Sequence, residues 1–317
     1  MRRIIPVFLL SASVLATGCF RRDVYPDHTG VRLELDIDTS FVNSHVTPDD
    51  IPEHMVASFY DVRTGKLAAT DFVEPDGGFL HLSPGQYDML VYNYSGRAVR
   101  VQSPAVYRGA EAYTLPVSKS IAKSFAWTKD GSKSVPDPGT YTYTPDYFFV
   151  ASGRVDVPVS MDGDRVFVIP ATAESLVETW DISLGPVENI QYVDEVSAAI
   201  SGMVRSRMLW DGSRSEEDVV MVFDMVPDVR SGMFRARFNT FGRNAYSEAR
   251  FYVLSVNVKD SSDKDYHFEY DVSDLFRDNA AQSIVIRDTI EVRPATGGGG
   301  IVPEVGNWDD VHRDIDL

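Results

Sequence analysis

Residues 31–37 read Val-Arg-Leu-Glu-Leu-Asp-Ile, with apolar and charged side chains in alternation. Side chains of a strand repeat every two residues. The pattern therefore puts Val31, Leu33, Leu35 and Ile37 on one face and Arg32, Glu34 and Asp36 on the other, as in a half-buried β-strand. Short runs of the same kind recur along the chain. They cover 54–62, closed by Arg63-Thr64-Gly65-Lys66, then 79–82 and 88–94, then 97–102, 112–116, 147–151, 165–170 and 177–184. Further runs are 218–225, 234–240, 249–259, 266–272 and 284–292. Between 79–82 and 88–94 lies Ser83-Pro84-Gly85-Gln86-Tyr87, which predicts a hairpin, because Pro sets one backbone angle and Gly supplies a positive one. Residues 194–207 have part-helical spacing interrupted by Ser201-Gly202, which predicts a strand with a bulge or a short helix. A helical turn is expected at 273–279. Strands at roughly 8–14-residue spacing, with little helical pattern, predict an all-β chain of β-sandwich build.

The 317 residues exceed one such unit. Val155, Val157 and Val159 restart the alternation after Gly153, so the expected division is an N-terminal domain at 30–153 and a C-terminal domain at 154–295. Four consecutive glycines at 297–300 form a hinge to a tail. The tail, 296–317, carries Ile301, Val305 and Trp308 and can add as a strand to a sheet edge, either of its own body or of a neighbour.

The first residues have a separate logic. Arg2 and Arg3 precede an apolar stretch, Ile4 to Leu15, of signal-peptide length and too short to span a bilayer as a helix. Leu15-Ala16-Thr17-Gly18-Cys19 follows. Small residues before a cysteine suit signal peptidase II, which cuts between Gly18 and Cys19 once the thiol carries diacylglycerol. The usual leucine three residues before the cysteine is replaced by Ala16, with Leu15 one step further out. Cys19 is the only cysteine, so no internal disulfide can form. Residues 1–18 are expected to be a signal peptide and 19–29 a tether. Acyl chains stabilise attachment by about 0.8 kcal/mol per buried methylene. No other apolar run reaches the ~18 residues a transmembrane helix needs.

Charge and chemistry exclude several functions. Without residues 1–18 the chain has 28 basic against 47 acidic side chains, a net charge of −19. Phosphates repel such a surface, so nucleic acid is not an expected partner. His28, His45, His54, His81, His267 and His312 show no metal-ligand spacing, and no cofactor or metal is expected beyond the covalent lipid on Cys19. The glycine run lacks the Lys-Ser/Thr of a phosphate loop. Asp260, Asp263 and Asp265 lack a calcium-loop pattern and read as a solvated hairpin tip. Trp127, Tyr141, Tyr143, Tyr147 and Phe148 can form a sugar-binding platform, although their spacing also suits packing. No catalytic residues are assigned and no enzyme is expected.

The order of several motifs resembles a known family. Cys19, Leu82-Ser83-Pro84-Gly85-Gln86-Tyr87, Pro145-Asp146-Tyr147-Phe148-Phe149, Ala199-Ile200-Ser201-Gly202-Met203 and Asn307-Trp308-Asp309-Asp310 resemble the fimbrium-anchoring lipoproteins of the Bacteroidales, and an uncharacterised lipoprotein family of similar build. The resemblance covers nearly all of the chain after residue 18. It implies two tandem β-sandwich domains of transthyretin-like, Greek-key type. It also implies outer-membrane attachment, with the periplasmic or cell-surface face left open. The implied role is a non-enzymatic anchor or assembly subunit of a fimbria-like structure, with fimbrial subunits bound by strand addition. A glycan-binding surface lipoprotein is the alternative.

Overall fold

The computed structural model describes residues 30–94, 96–125, 140–159, 166–244, 252–276, 279–293 and 312–313. The first stretch runs through β1 (Gly30–Ile37), β2 (Met55–Asp61), β3 (Leu67–Val73), β4 (Gly77–Leu80), β5 (Gly85–Asn93), β6 (Val99–Gln102) and β7 (Glu111–Thr114). Helix α1 (Lys119–Phe125) precedes β8 (Tyr141–Tyr143), β9 (Phe149–Val157) and β10 (Val166–Ser175). Then come β11 (Glu178–Glu188), β12 (Val193–Val204), β13 (Ser206–Met208), β14 (Asp218–Asp228), β15 (Met233–Thr240), β16 (Val253–Asp260) and β17 (Asp265–Asp271). A helical turn, α2 (Ser273–Phe276), precedes β18 (Ser283–Glu291), and β19 (His312–Arg313) ends the described chain.

Alternation in β1 does what its sequence requires: Val31, Leu33 and Leu35 are buried, while Arg32, Glu34 and Asp36 are exposed. The strand lies inside a seven-stranded sheet of order β3-β2-β5-β9-β10-β1-β4. It pairs in parallel with β10, from Gly30 opposite Val166 to Ile37 opposite Ala173, and antiparallel with β4. β3 and β4 stand at opposite ends of this order, yet only residues 74–76 separate them in the chain. So short a link cannot span a flat seven-stranded sheet. The sheet must curl until its ends meet, and it forms a near-closed barrel around Leu33, Met55, Phe59, Val91, Phe149 and their neighbours. Gly77 makes the closing turn. Its φ is +103°, and a Cβ there would lie 2.1 Å from the Leu33 carbonyl oxygen.

The Pro84–Gly85 hairpin expected from sequence is not formed. β4 pairs with β1, whereas β5 pairs with β2 and β9. Residues 81–84 instead cross between non-neighbouring strands, and the Tyr87 hydroxyl donates to the Ser83 carbonyl at 3.0 Å. Turn chemistry reverses the chain locally but does not select the strands that pair. Leu80 and Leu82 are both buried in the barrel core.

A nine-stranded sheet follows the order β18-β11-β15-β14-β12-β16-β17-β19, with β8 added beside β14. It curls as a half-barrel around Trp180, Ile200, Phe234, Val256, Phe276 and Ile286. Residues 194–207 are strand with a bulge. The β12 register slips between Ile200 and Met203, and Gly202 takes φ +78°. The fold is all-β as expected, but each domain is one curled sheet.

The two halves interlock. β8, from the first half, pairs with β14, and β13, from the second half, pairs with β7 in a small sheet of order β13-β7-β6. Gly153–Pro158, read as a crossing between units, is instead the later part of β9 and its end, with Gly153 opposite Met89. The chain leaves the first sheet only between Ser175 and Glu178. Val155 and Val157 continue one strand and do not start a new domain.

Gly77→Ala should lower stability by about 2–3 kcal/mol, from positive-φ strain and the clash with Leu33. Urea unfolding followed by circular dichroism measures it, and a midpoint equal to the wild type would refute the barrel-closing role of this turn.

Candidate functional surfaces

The sequence-predicted lipid site, Gly18 and Cys19, lies outside the described residues. The described chain starts at Gly30, directly in β1, a strand held on both sides. Trp127, and Asp309 and Asp310 of the tail, also lie outside.

The aromatic stretch 141–149 does not make an exposed platform among the described residues. Phe148 and Phe149 are buried, and Phe148 stacks on Tyr92 with ring centres 6.4 Å apart. Tyr147 packs edge-on against Phe41 at 5.8 Å. Tyr141 packs with Phe125, Ala199 and Val222, and its burial raises its pKa. Tyr143 is the exposed member.

The carboxylates of 260–265 divide. Asp263 is exposed and pairs with Lys259 at 2.7 Å. Asp260, expected in a solvated tip, is fully buried. It accepts from the Ser262 amide at 2.8 Å, the Lys264 amide at 3.0 Å, the Ser262 hydroxyl at 2.6 Å and the Tyr266 hydroxyl at 3.1 Å. Burial opposes its ionisation, but these donors prevail and hold its pKa below the ordinary carboxylate value. It organises the β16–β17 hairpin.

The histidines are dispersed. His54 stands 3.8 Å from Glu74, His81 3.0 Å from Asp71, and His267 2.7 Å from Asn257. No group of three metal-ligating side chains occurs among the described residues.

A cleft of about 920 Å³ opens where the domains meet, lined among others by Asp50, His54, Tyr94, Arg97, Asp146 and Asn239. Two of its carboxylates serve the backbone. Asp50 accepts from the Thr47 amide at 2.9 Å, and Asp146 from the Ala98 amide at 2.7 Å. The sequence carried no signal for this cleft, because its walls come from distant segments.

Two sheet edges bear on partner binding. β19 lies parallel to β17, with His312 opposite Glu269 and Arg313 opposite Tyr270, so part of the tail pairs with its own body. β18 ends the sheet on the other side and pairs with β11 alone among the described residues. The Asp181 amide donates to the Gln282 carbonyl at 3.0 Å. Strand alternation then turns the backbone N–H and C=O of Val285 away from β11.

A near-closed β-barrel welded to a β half-barrel, with strand edges open among the described residues, defines a two-domain all-β protein. The chain belongs to the DUF5119 family, described as a domain of unknown function, whose profile matches residues 18–224. It is similar to a candidate fimbrium anchoring subunit of Bacteroides ovatus, Fim4B, with 22% identity over 335 aligned residues, covering 95% of this chain and 94% of that protein. Among solved structures, a candidate adhesin from Bacteroides ovatus shares the fold with a TM-score of 0.58 at 21% identity, over 88% of this chain and 99% of that one. A second candidate adhesin from Bacteroides ovatus gives a TM-score of 0.51 at 13% identity, over 86% and 90%.

Asp260→Asn should destabilise the protein by about 1–3 kcal/mol at neutral pH, because it removes the charge that strengthens all four bonds and puts an NH2 donor where one oxygen accepts from the Tyr266 hydroxyl. The folded pKa is depressed, so this contribution is complete above the unfolded value of about 3.9 and fades as pH falls through the folded pKa. The difference between wild type and variant in thermal unfolding should therefore shrink on acidification. A difference that is constant or grows there would contradict the assignment.

Proposed function

We propose that this protein is an outer-membrane lipoprotein, acylated on Cys19 after cleavage at Gly18, that anchors or assembles a fimbria-like surface structure without catalysis. One observation carries the reading: a lone cysteine closes an export-type segment in a chain alike, nearly end to end, to a candidate fimbrium anchoring subunit. The architecture supports it mechanically. A pull on Gly30 along β1 acts in shear across the full parallel pairing with β10 and the pairing with β4, so many hydrogen bonds share the force. The interlocked strands then pass that force to the second domain.

Fimbrial subunits bind by strand addition, and the free edge of β18 is the seat. Its backbone polar groups at Val285 face outwards and offer a ladder to an incoming strand.

Cys19→Ala should abolish incorporation of labelled palmitate and move the protein from the membrane to the soluble fraction. Retention of the variant in the membrane at wild-type level would end the anchoring account. Gentle extraction of the native protein should bring a pilin-like subunit with it, and recovery of a lone monomer counts against the fimbrial role. Val285→Pro should abolish that capture and change stability by less than about 1 kcal/mol, since proline is tolerated where a strand N–H faces outwards. Capture undiminished by the proline would remove β18 as the seat.

A further inference from the structure

The outward face of β4, β1 and β10 is graded from apolar to acidic. Pairing places its side chains in rows. Val166 is opposite Gly30, where the chain enters. In the next outward row Phe79, Arg32 and Val168 lie side by side, since Arg32 is opposite both. Beyond it come Glu34 beside Pro170, then Asp36 beside Thr172. Successive rows on one face are roughly 7 Å apart. The two rows nearest the tether are thus apolar around one cation, and the carboxylates stand back from them.

These apolar side chains are open. Phe79 is 65% exposed, Val166 43% and Val168 41%. Val159, in the link between β9 and β10 at the same end of the sheet, is 89% exposed. The Arg32 guanidinium lies 5.9 Å from the centre of the Phe79 ring. Such a cluster at one pole is a contact surface and not a random scatter of apolar residues.

We infer that this pole rests on the lipid surface, with Phe79, Val159, Val166 and Val168 in the headgroup region and Arg32 at the level of the phosphates. The inference rests on the acylation of Cys19. The position of the tether decides the occupant. Residues 19–29 end at Gly30, in the row beside Val166, and even fully extended they let the pole stray only about 40 Å from the acylated residue. A tether this short raises the effective concentration of the patch at the bilayer, so a contact too weak for a free protein is occupied. Charge supports the same orientation. The chain is strongly acidic and repelled by anionic lipid, so contact needs a region where apolar groups and a cation lead and the acids retreat. An aromatic ring, short aliphatic chains and one arginine are the composition of an interfacial belt.

The single native cysteine makes the test direct. Once Cys19 is acylated, a cysteine introduced by Phe79→Cys or Val168→Cys is the only free thiol and can carry a nitroxide. Val229→Cys, on an exposed turn of the second domain, is the reference. The lipoprotein is reconstituted on phosphatidylethanolamine vesicles containing a minority of phosphatidylglycerol and purified by flotation. Labels at 79 and 168 should collide severalfold more with dissolved oxygen, relative to a water-soluble nickel chelate, than the label at 229. Labels as open to nickel as the reference, on protein that floats, would overturn the docking and leave the anchor intact. Protein that does not float, with Cys19 unacylated by mass spectrometry, overturns both. Hydrogen exchange on the unsubstituted lipoprotein gives an independent reading. Vesicle attachment should slow exchange in peptides covering 79–82 and 166–170, and unchanged exchange there would refute the contact.

Discussion

One buried cluster is built from both halves of the chain, and the arrangement of the molecule depends on it. Val56, Leu90, Tyr92, Phe148 and Val150 come from the outer side of the barrel sheet. Val99, Ala110 and Ala112 come from the small sheet and its approach, and Val204, Leu209 and Phe241 from the second half. Apolar side chains of this size stay out of water only if both domains are present, so neither half completes its packing alone. The Arg207 guanidinium closes the junction by donating to the carbonyls of Leu176 and Gly212, both at 2.7 Å. Burial pushes its pKa down and nearby Arg214 adds to this, while Glu178 opposes both. A half-buried cation bonded to the chain at the sheet crossing holds the link at 176–177 in one path.

That junction explains why the strand exchanges exist. β8 leaves the first half to lie beside β14, and β13 returns to lie beside β7. Helix α1 covers the face of the half-barrel that β8 borders, burying Phe125 against Ala199 and Val222. The domains cannot separate without exposing a core and breaking strand ladders together.

Much of the local structure was legible in the sequence. β1, β15, β17 and β18 fall within a residue of their alternating segments, and Gly202 marks the bulge that Ser201-Gly202 suggested. These features depend on side-chain period and on backbone angles, which act over a few residues. Asp260 was misread because turn residues are polar in either setting. Only Ser262, Lys264 and Tyr266 folding around it show that it is buried. The 141–149 aromatics could not be divided into buried and exposed until Tyr92 and Phe41 were seen against them.

By itself the sequence determined that the chain is all-β, roughly where most of its longer strands lie, and that its one thiol follows an export-type segment, whereas β3 and β13 left no signal in it and β9, β10 and β11 run well past their alternating segments. Only the tertiary structure decided that β1 pairs with β10, that the Pro84–Gly85 reversal joins strands that are not partners, and that Phe79, Arg32 and Val168 share a row. The reason is one of range. Alternation states which face of a strand is buried, but every half-buried strand offers the same backbone donors and acceptors. The choice among partners is made by whichever pairing lets distant apolar faces close on common cores, and no single segment encodes it.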